Sequence, residues 1–106
     1  EDIDLNIHLI KNVPATFIIR VQGKSMSDIG IYDGDLLVVD KSLQPKNFST
    51  VIANVNDDLV VKNFIKEKDL QFLSSGSKNL KDKIILDTNS NIFIWGVVTY
   101  VIHALH

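Results

Sequence analysis

Cysteine is absent from this chain of 106 residues, which excludes a disulfide framework, a thiolate metal centre and cysteine-based catalysis. The absence fits a reducing compartment, so a cytoplasmic location is expected. Long apolar runs are also missing, and none approaches the roughly 20 residues that a helix needs to cross a bilayer. Neither sign of charge is in clear excess: eleven basic residues face thirteen acidic ones, for a net charge of −2. So balanced a chain has no general electrostatic drive to coat nucleic acid. Protein partners are therefore expected, and direct sequence-specific DNA binding is not. Repeats, low-complexity segments and linker-like stretches are lacking as well. The 45% apolar content is too high for a disordered chain, and the length suits one core. One domain over residues 1–106 is expected. The first residue is Glu1 rather than methionine and no signal peptide is visible, which suggests a processed or truncated product.

Short β-prone runs alternate with turn signals along most of the chain. Residues 4–10 are compatible with one or two helical turns, capped by Asp4 and ended by Pro14. Residues 15–22, rich in β-branched and aromatic side chains, predict a strand that leads into a turn at Gly23. Ile29-Gly30 and Asp33-Gly34 are turn signals, and residues 36–40 form a second strand. Pro45 falls in a connection. Residues 50–55 and 59–65 flank Asn56-Asp57-Asp58 and give the clearest hairpin. Shorter strands are expected at 70–73 and 83–86. A long last strand spans 92–105, with Gly96 marking a bend or bulge. The fold class is accordingly mainly β, with bent sheets.

Two features of this frame carry chemistry. Gly23-Lys24-Ser25-Met26 sets a serine on a tight turn, and Lys62 stands in the strand-like run Leu59-Val60-Val61-Lys62-Asn63-Phe64. Serine and lysine can act as nucleophile and base without histidine or aspartate. A free lysine amine, with a pKa of about 10.4, is protonated at neutral pH. Apolar surroundings disfavour the charged form and so make a base of it. The neutral amine then takes the Ser25 proton as the oxygen attacks a carbonyl. Backbone N–H groups at the Ser25 turn are candidates for an oxyanion hole, with Met26 as core filler or as a wall of the cleft. The competing account has Ser25 capping a turn and Lys62 snorkelling from a strand.

Other groupings carry less. Asp28, Asp33, Asp35 and Asp40 match no calcium-loop spacing, and aspartates beside glycines commonly make turns. His8, His103 and His106 lack zinc-ligand spacing. Gly30 and Gly34 precede a strand rather than a helix, which argues against a phosphate-binding loop. Phe93, Trp95 and Tyr100 read as strand-core packing rather than as a platform for stacked bases. No metal or cofactor is expected.

The order Gly-x-Ser-Met, then Gly-Ile-x-Asp-Gly-Asp-hydrophobic, then Val-Lys in the next hairpin is met by residues 23–26, 30–36 and 61–62. It resembles the active-site region of the LexA/UmuD family, SOS-response proteins that cut themselves. Ile3-Asp4-Leu5-Asn6, Leu36-Leu37-Val38-Val39-Asp40, Trp95-Gly96-Val97-Val98 and Val101-Ile102-His103-Ala104-Leu105 are similar to the UmuD branch. Members of that branch are accessory subunits of translesion DNA polymerase V. The resemblance implies a LexA-like C-terminal peptidase fold of bent, mostly antiparallel sheets, with Ser25 as nucleophile and Lys62 as base. It also implies cleavage stimulated by the RecA–single-stranded DNA filament, a homodimer, and a processed form that joins the polymerase's catalytic subunit. The last strand, residues 97–105, is the expected dimer contact, as an apolar edge.

Two departures from the family pattern stand out. Lys24 occupies a position that is usually acidic, and Ser74-Ser75-Gly76-Ser77-Lys78-Asn79-Leu80 replaces a loop that often carries asparagine and proline. Family cleavage falls after alanine or cysteine and before glycine, and this chain contains neither pair. The substrate segment is therefore expected to have been removed, which leaves the chain able to act only on a partner's arm. Two alternatives stand beside this reading. One is the C-terminal domain of a LexA-type or phage repressor; the other is a catalytically idle interaction module of the same fold.

Overall fold

The computed structural model of the chain describes residues 13–23, 30–76, 83–86 and 91–105. The helical turn expected at 4–10, Lys24, Ser25, Met26, Asp28, His8, His106 and the loop residues 77–80 lie outside the described residues. A 3-10 turn, Val13–Ala15, carries Pro14 and opens into β1, Thr16–Arg20. Then follow β2 (Leu36–Asp40), β3 (Thr50–Val55), β4 (Asp58–Glu67), β5 (Leu70–Ser74), β6 (Ile84–Ile85) and β7 (Ile92–Ile102). Every strand expected from the sequence is present, with small shifts at the ends. All seven join one sheet in the order β1-β2-β7-β3-β4-β5-β6, and each described pairing is antiparallel. The expectation of a mainly β, mostly antiparallel fold is met.

The β3–β4 hairpin closes one residue tighter than its sequence suggests. Val55 pairs with Asp58, which leaves only Asn56 and Asp57 in the turn. Both have positive φ, 51° and 75°. Two such residues build the turn whose twist matches that of the strands, and asparagine and aspartate tolerate this region better than most side chains.

Alternation along the strands divides the core in two. Val21, Ile31, Leu37, Val39, Ile52 and Val61 form one buried cluster, and Val51, Ala53, Phe64, Leu73 and Val97 form the other. On β3, Ile52 enters the first cluster while Val51 and Ala53 enter the second. Successive side chains point to opposite faces, so this strand is covered on both sides, and its unbroken apolar run is the consequence.

The last strand departs from expectation in three ways. It ends at Ile102 rather than Leu105. It is not a sheet edge: residues 97–102 pair with β2 and residues 92–97 pair with β3. Its eleven residues are too many for either neighbour alone, so it bridges two short strands. Register slips between Val38 and Val39, and between Ile52 and Ala53, each leave one extra residue on β7, Thr99 and Trp95 respectively. These are β-bulges, and the bend anticipated at Gly96 is the second of them. The third departure concerns the aromatic residues. Trp95 packs on the first core, but Phe93 and Tyr100 are exposed.

Candidate active site

Lys62 lies in the middle of β4, directly across from Val51 on β3. Alternation sets it on the same face as Val60 and Phe64, which belong to the second core with Val51. Its own side chain is half-buried. Both neighbouring strands hold β4 in register, β3 along residues 58–63 and β5 along 63–67. An amine carried here has a rigid base and an apolar collar. Its Nζ donates a hydrogen bond of 2.8 Å to Oγ of Ser75. Nothing in the sequence pattern had singled out that serine as an individual site residue.

The chain that runs toward Ser25 is fixed with similar care. Beyond the end of β1, the Val21 N–H donates to the Asp35 carbonyl at 2.8 Å and the Gly34 N–H donates to the Val21 carbonyl at 2.9 Å. Gly23 follows at a φ of 96°, a region open to glycine and rarely to other residues. Its N–H donates to Oδ1 of Asp33 at 2.9 Å. Ser25 and Met26 lie just past this anchor, outside the described residues. Arg20, Val21 and Gln22 line a cavity of about 190 Å³ together with Leu59, Val60 and Val61. The cavity joins the approach to Ser25 with the three residues before Lys62; Lys62 itself does not line it and stands on the second-core face.

The described aspartates of the acidic group, Asp33, Asp35 and Asp40, are engaged in turns. Asp33 holds Gly23, and Oδ1 of Asp40 accepts the Ser42 N–H at 2.8 Å and the Ser42 hydroxyl at 2.6 Å. Asp35 is buried. Its Oδ2 accepts the Tyr32 N–H at 2.8 Å, and its Oδ1 lies 2.5 Å from Nδ1 of His103. An ionised carboxylate can only accept, so Nδ1 must carry the proton of that bond. The end of β7 thereby clamps the turn whose Asp33 anchors Gly23. The sequence offers no sign of this pair, because 68 residues separate His103 from Asp35.

Residues 1–99 match the family described as Peptidase S24-like. The chain belongs to that family. Protein ImpA of Salmonella typhimurium is 36% identical over 103 residues, covering 97% of this chain and 69% of that protein. The LexA repressor of Shewanella woodyi is 40% identical over 88 residues, which is 83% of this chain and 43% of the repressor. The LexA repressor of Shewanella piezotolerans is 41% identical over the same length. The chain therefore spans less than half the length of these repressors and about two thirds of ImpA.

In this S24-like domain Asp35 makes acid stability testable. Its carboxyl is held below its ordinary value of 3.8, chiefly by the His103 hydrogen bond and next by the Tyr32 N–H, against the opposing effect of burial. A depressed folded-state value means that the stabilisation is complete above the unfolded-state pKa of about 3.9. It is lost as pH falls through the lower folded-state value. Acid titration of thermal stability in wild type and Asp35→Asn should show the wild-type advantage shrinking below about pH 4. Parallel curves across that range would mean that the carboxylate does not act through its charge.

Proposed function

We propose that this chain is the self-cleaving, dimer-forming domain of a UmuD-type SOS protein, with Ser25 as nucleophile and Lys62 as base. The observation that carries the reading is the half-buried Lys62 amine, held in the middle of β4 on the face it shares with Val60 and Phe64, in a chain of the S24-like family. Ser25 Oγ attacks the carbonyl carbon of the substrate peptide as Lys62 Nζ takes its proton. Backbone N–H groups at Ser25 and Met26 are the candidates to stabilise the oxyanion. As the C–N bond breaks, the proton passes from Lys62 to the departing amine. Water then hydrolyses the Ser25 ester, with the same lysine as base.

Coverage of the chain favours the UmuD-type reading over a repressor: the alignment with ImpA takes in 97% of this chain, that with the LexA repressor of Shewanella woodyi 83%. The partners that follow are the RecA–single-stranded DNA filament, the catalytic subunit of DNA polymerase V and a second copy of the chain, in the cytoplasm. Among the described residues no helix is long and apolar enough to cross a membrane. The proposed dimer contact is the outer half of β7, where Val101 and Ile102 are each 40% exposed, together with Phe48 of the β2–β3 connection, 65% exposed and lining one cavity with Val101. Ile102 is the position to probe, because Val98 packs on the first core and a charge there would report on folding.

The test uses the full-length gene product with activated RecA filament. Wild type is expected to be cut, and Ser25→Ala to stay whole at neutral and alkaline pH while keeping its fold. A wild type that is uncut under both conditions would overturn the peptidase reading and leave an interaction module.

A further inference from the structure

Ser75 stands where a base would need a guide. The β4–β5 ladder ends at the pair Asn63 and Ser74. One step further along the same register, Lys62 is opposite Ser75. Directly opposed residues of an antiparallel pair share a face, and their side chains meet. Here they do, through the 2.8 Å bond from Nζ to Oγ.

The turn that displays Ser75 is itself fixed. Ser74 is fully buried, and its hydroxyl donates to the Gly76 carbonyl at 2.7 Å and accepts the Gly76 N–H at 3.3 Å. Ser75 is the middle residue of this closed loop, half-buried and held over β4. A lysine amine at the end of four rotatable bonds otherwise samples many directions. A neutral amine has two N–H donors and one lone pair. Donating one N–H to Ser75 fixes the orientation of the nitrogen and leaves the lone pair free. As that lone pair gains a proton the bond to Ser75 becomes charge-assisted and stronger. The interaction therefore favours the state in which Lys62 has just accepted the nucleophile's proton.

We infer that Ser75 is a positioning residue for Lys62, fixing the direction of the amine so that self-cleavage depends on a third side chain. This rests on the reading of Lys62 as the base. It is specific to the serine-rich loop that marks this chain off from the family pattern.

The test joins a spectroscopic readout to a kinetic one. In the chain labelled with 13Cε lysine, Ser75→Ala should move the Lys62 signal and lower its titration midpoint, leaving the other nine lysines in place. Ser75→Thr, which keeps the hydroxyl, should restore both. In the full-length product Ser75→Ala should lower the plateau rate of cleavage by roughly ten- to a hundredfold, with most of it recovered in Ser75→Thr. A Ser75→Ala protein that titrates and cuts like wild type overturns the assignment of Ser75 alone. So does an altered Lys62 signal with an unchanged rate, because the contact then serves only the fold. A wild type that is never cut overturns the base reading and the positioning role with it, even where the Lys62 signal still answers to Ser75.

Discussion

Lys62→Met is expected to abolish self-cleavage at every pH while leaving the domain at least as stable as wild type. The two halves of this result have one physical origin. Lys62 stands among Val51, Val60 and Phe64 on a strand held by neighbours on both sides. Partial removal of an amine from water costs free energy, and a methionine of similar length fills the same space without that cost. A gain of about 0.5–1 kcal/mol is expected, within the range that single stabilising substitutions commonly give. Ser75, half-exposed, can turn its hydroxyl to water. The rate falls for the opposite reason, since no other group takes the Ser25 proton, and loss of a general base costs about 10²–10⁴-fold or more. Wild-type cleavage should rise with pH as the amine loses its proton and then level off, whereas the methionine variant should stay flat at background. Residual cleavage that still climbs with pH would identify another base. A loss of more than about 1 kcal/mol in thermal unfolding would make Lys62 structural first.

The proposed dyad was legible in the sequence because its parts are local: a serine on a glycine turn, and a lysine in a β-branched run. The β3–β4 hairpin was legible for the same reason, since its Asn56-Asp57 turn and its flanking strands lie together in the chain. Periodicity identifies a strand but does not name its neighbours, and for that reason β7 was expected at an edge. In fact it lies between β2 and β3, and the two bulges that allow it to serve both depend on pairings far apart in sequence. The Ser75–Lys62 bond becomes readable only once the β4–β5 register is known. The turn that sets that register, Lys68-Asp69, lacks a glycine or an asparagine, and Lys68 takes a φ of 53° against its preference. The Asp35–His103 pair joins the middle of the chain to its last residues, and no local pattern could have announced it.

Gly96 sits at the meeting of these long-range constraints, and Gly96→Ala is expected to destabilise the domain by about 1–3 kcal/mol. A Cβ built there would lie 2.6 Å from Cγ1 of Val39, well inside van der Waals contact. Val39 cannot step aside, since it is fully buried in the first core and its β-branched side chain has few rotamers. The clash therefore falls on the backbones of β2 and β7, next to Trp95, where the ladder between β7 and β3 is already interrupted. For a domain of this size the loss should lower the melting temperature by roughly 4–8 °C per kcal/mol. Val39→Ala alone opens a cavity and is also destabilising. Combined with Gly96→Ala, it makes room for the new methyl group, so the double variant should be more stable than the sum of the two losses predicts, by about 0.5–3 kcal/mol. Strict additivity would mean that the glycine is needed for the bend itself and not for the closeness of Val39.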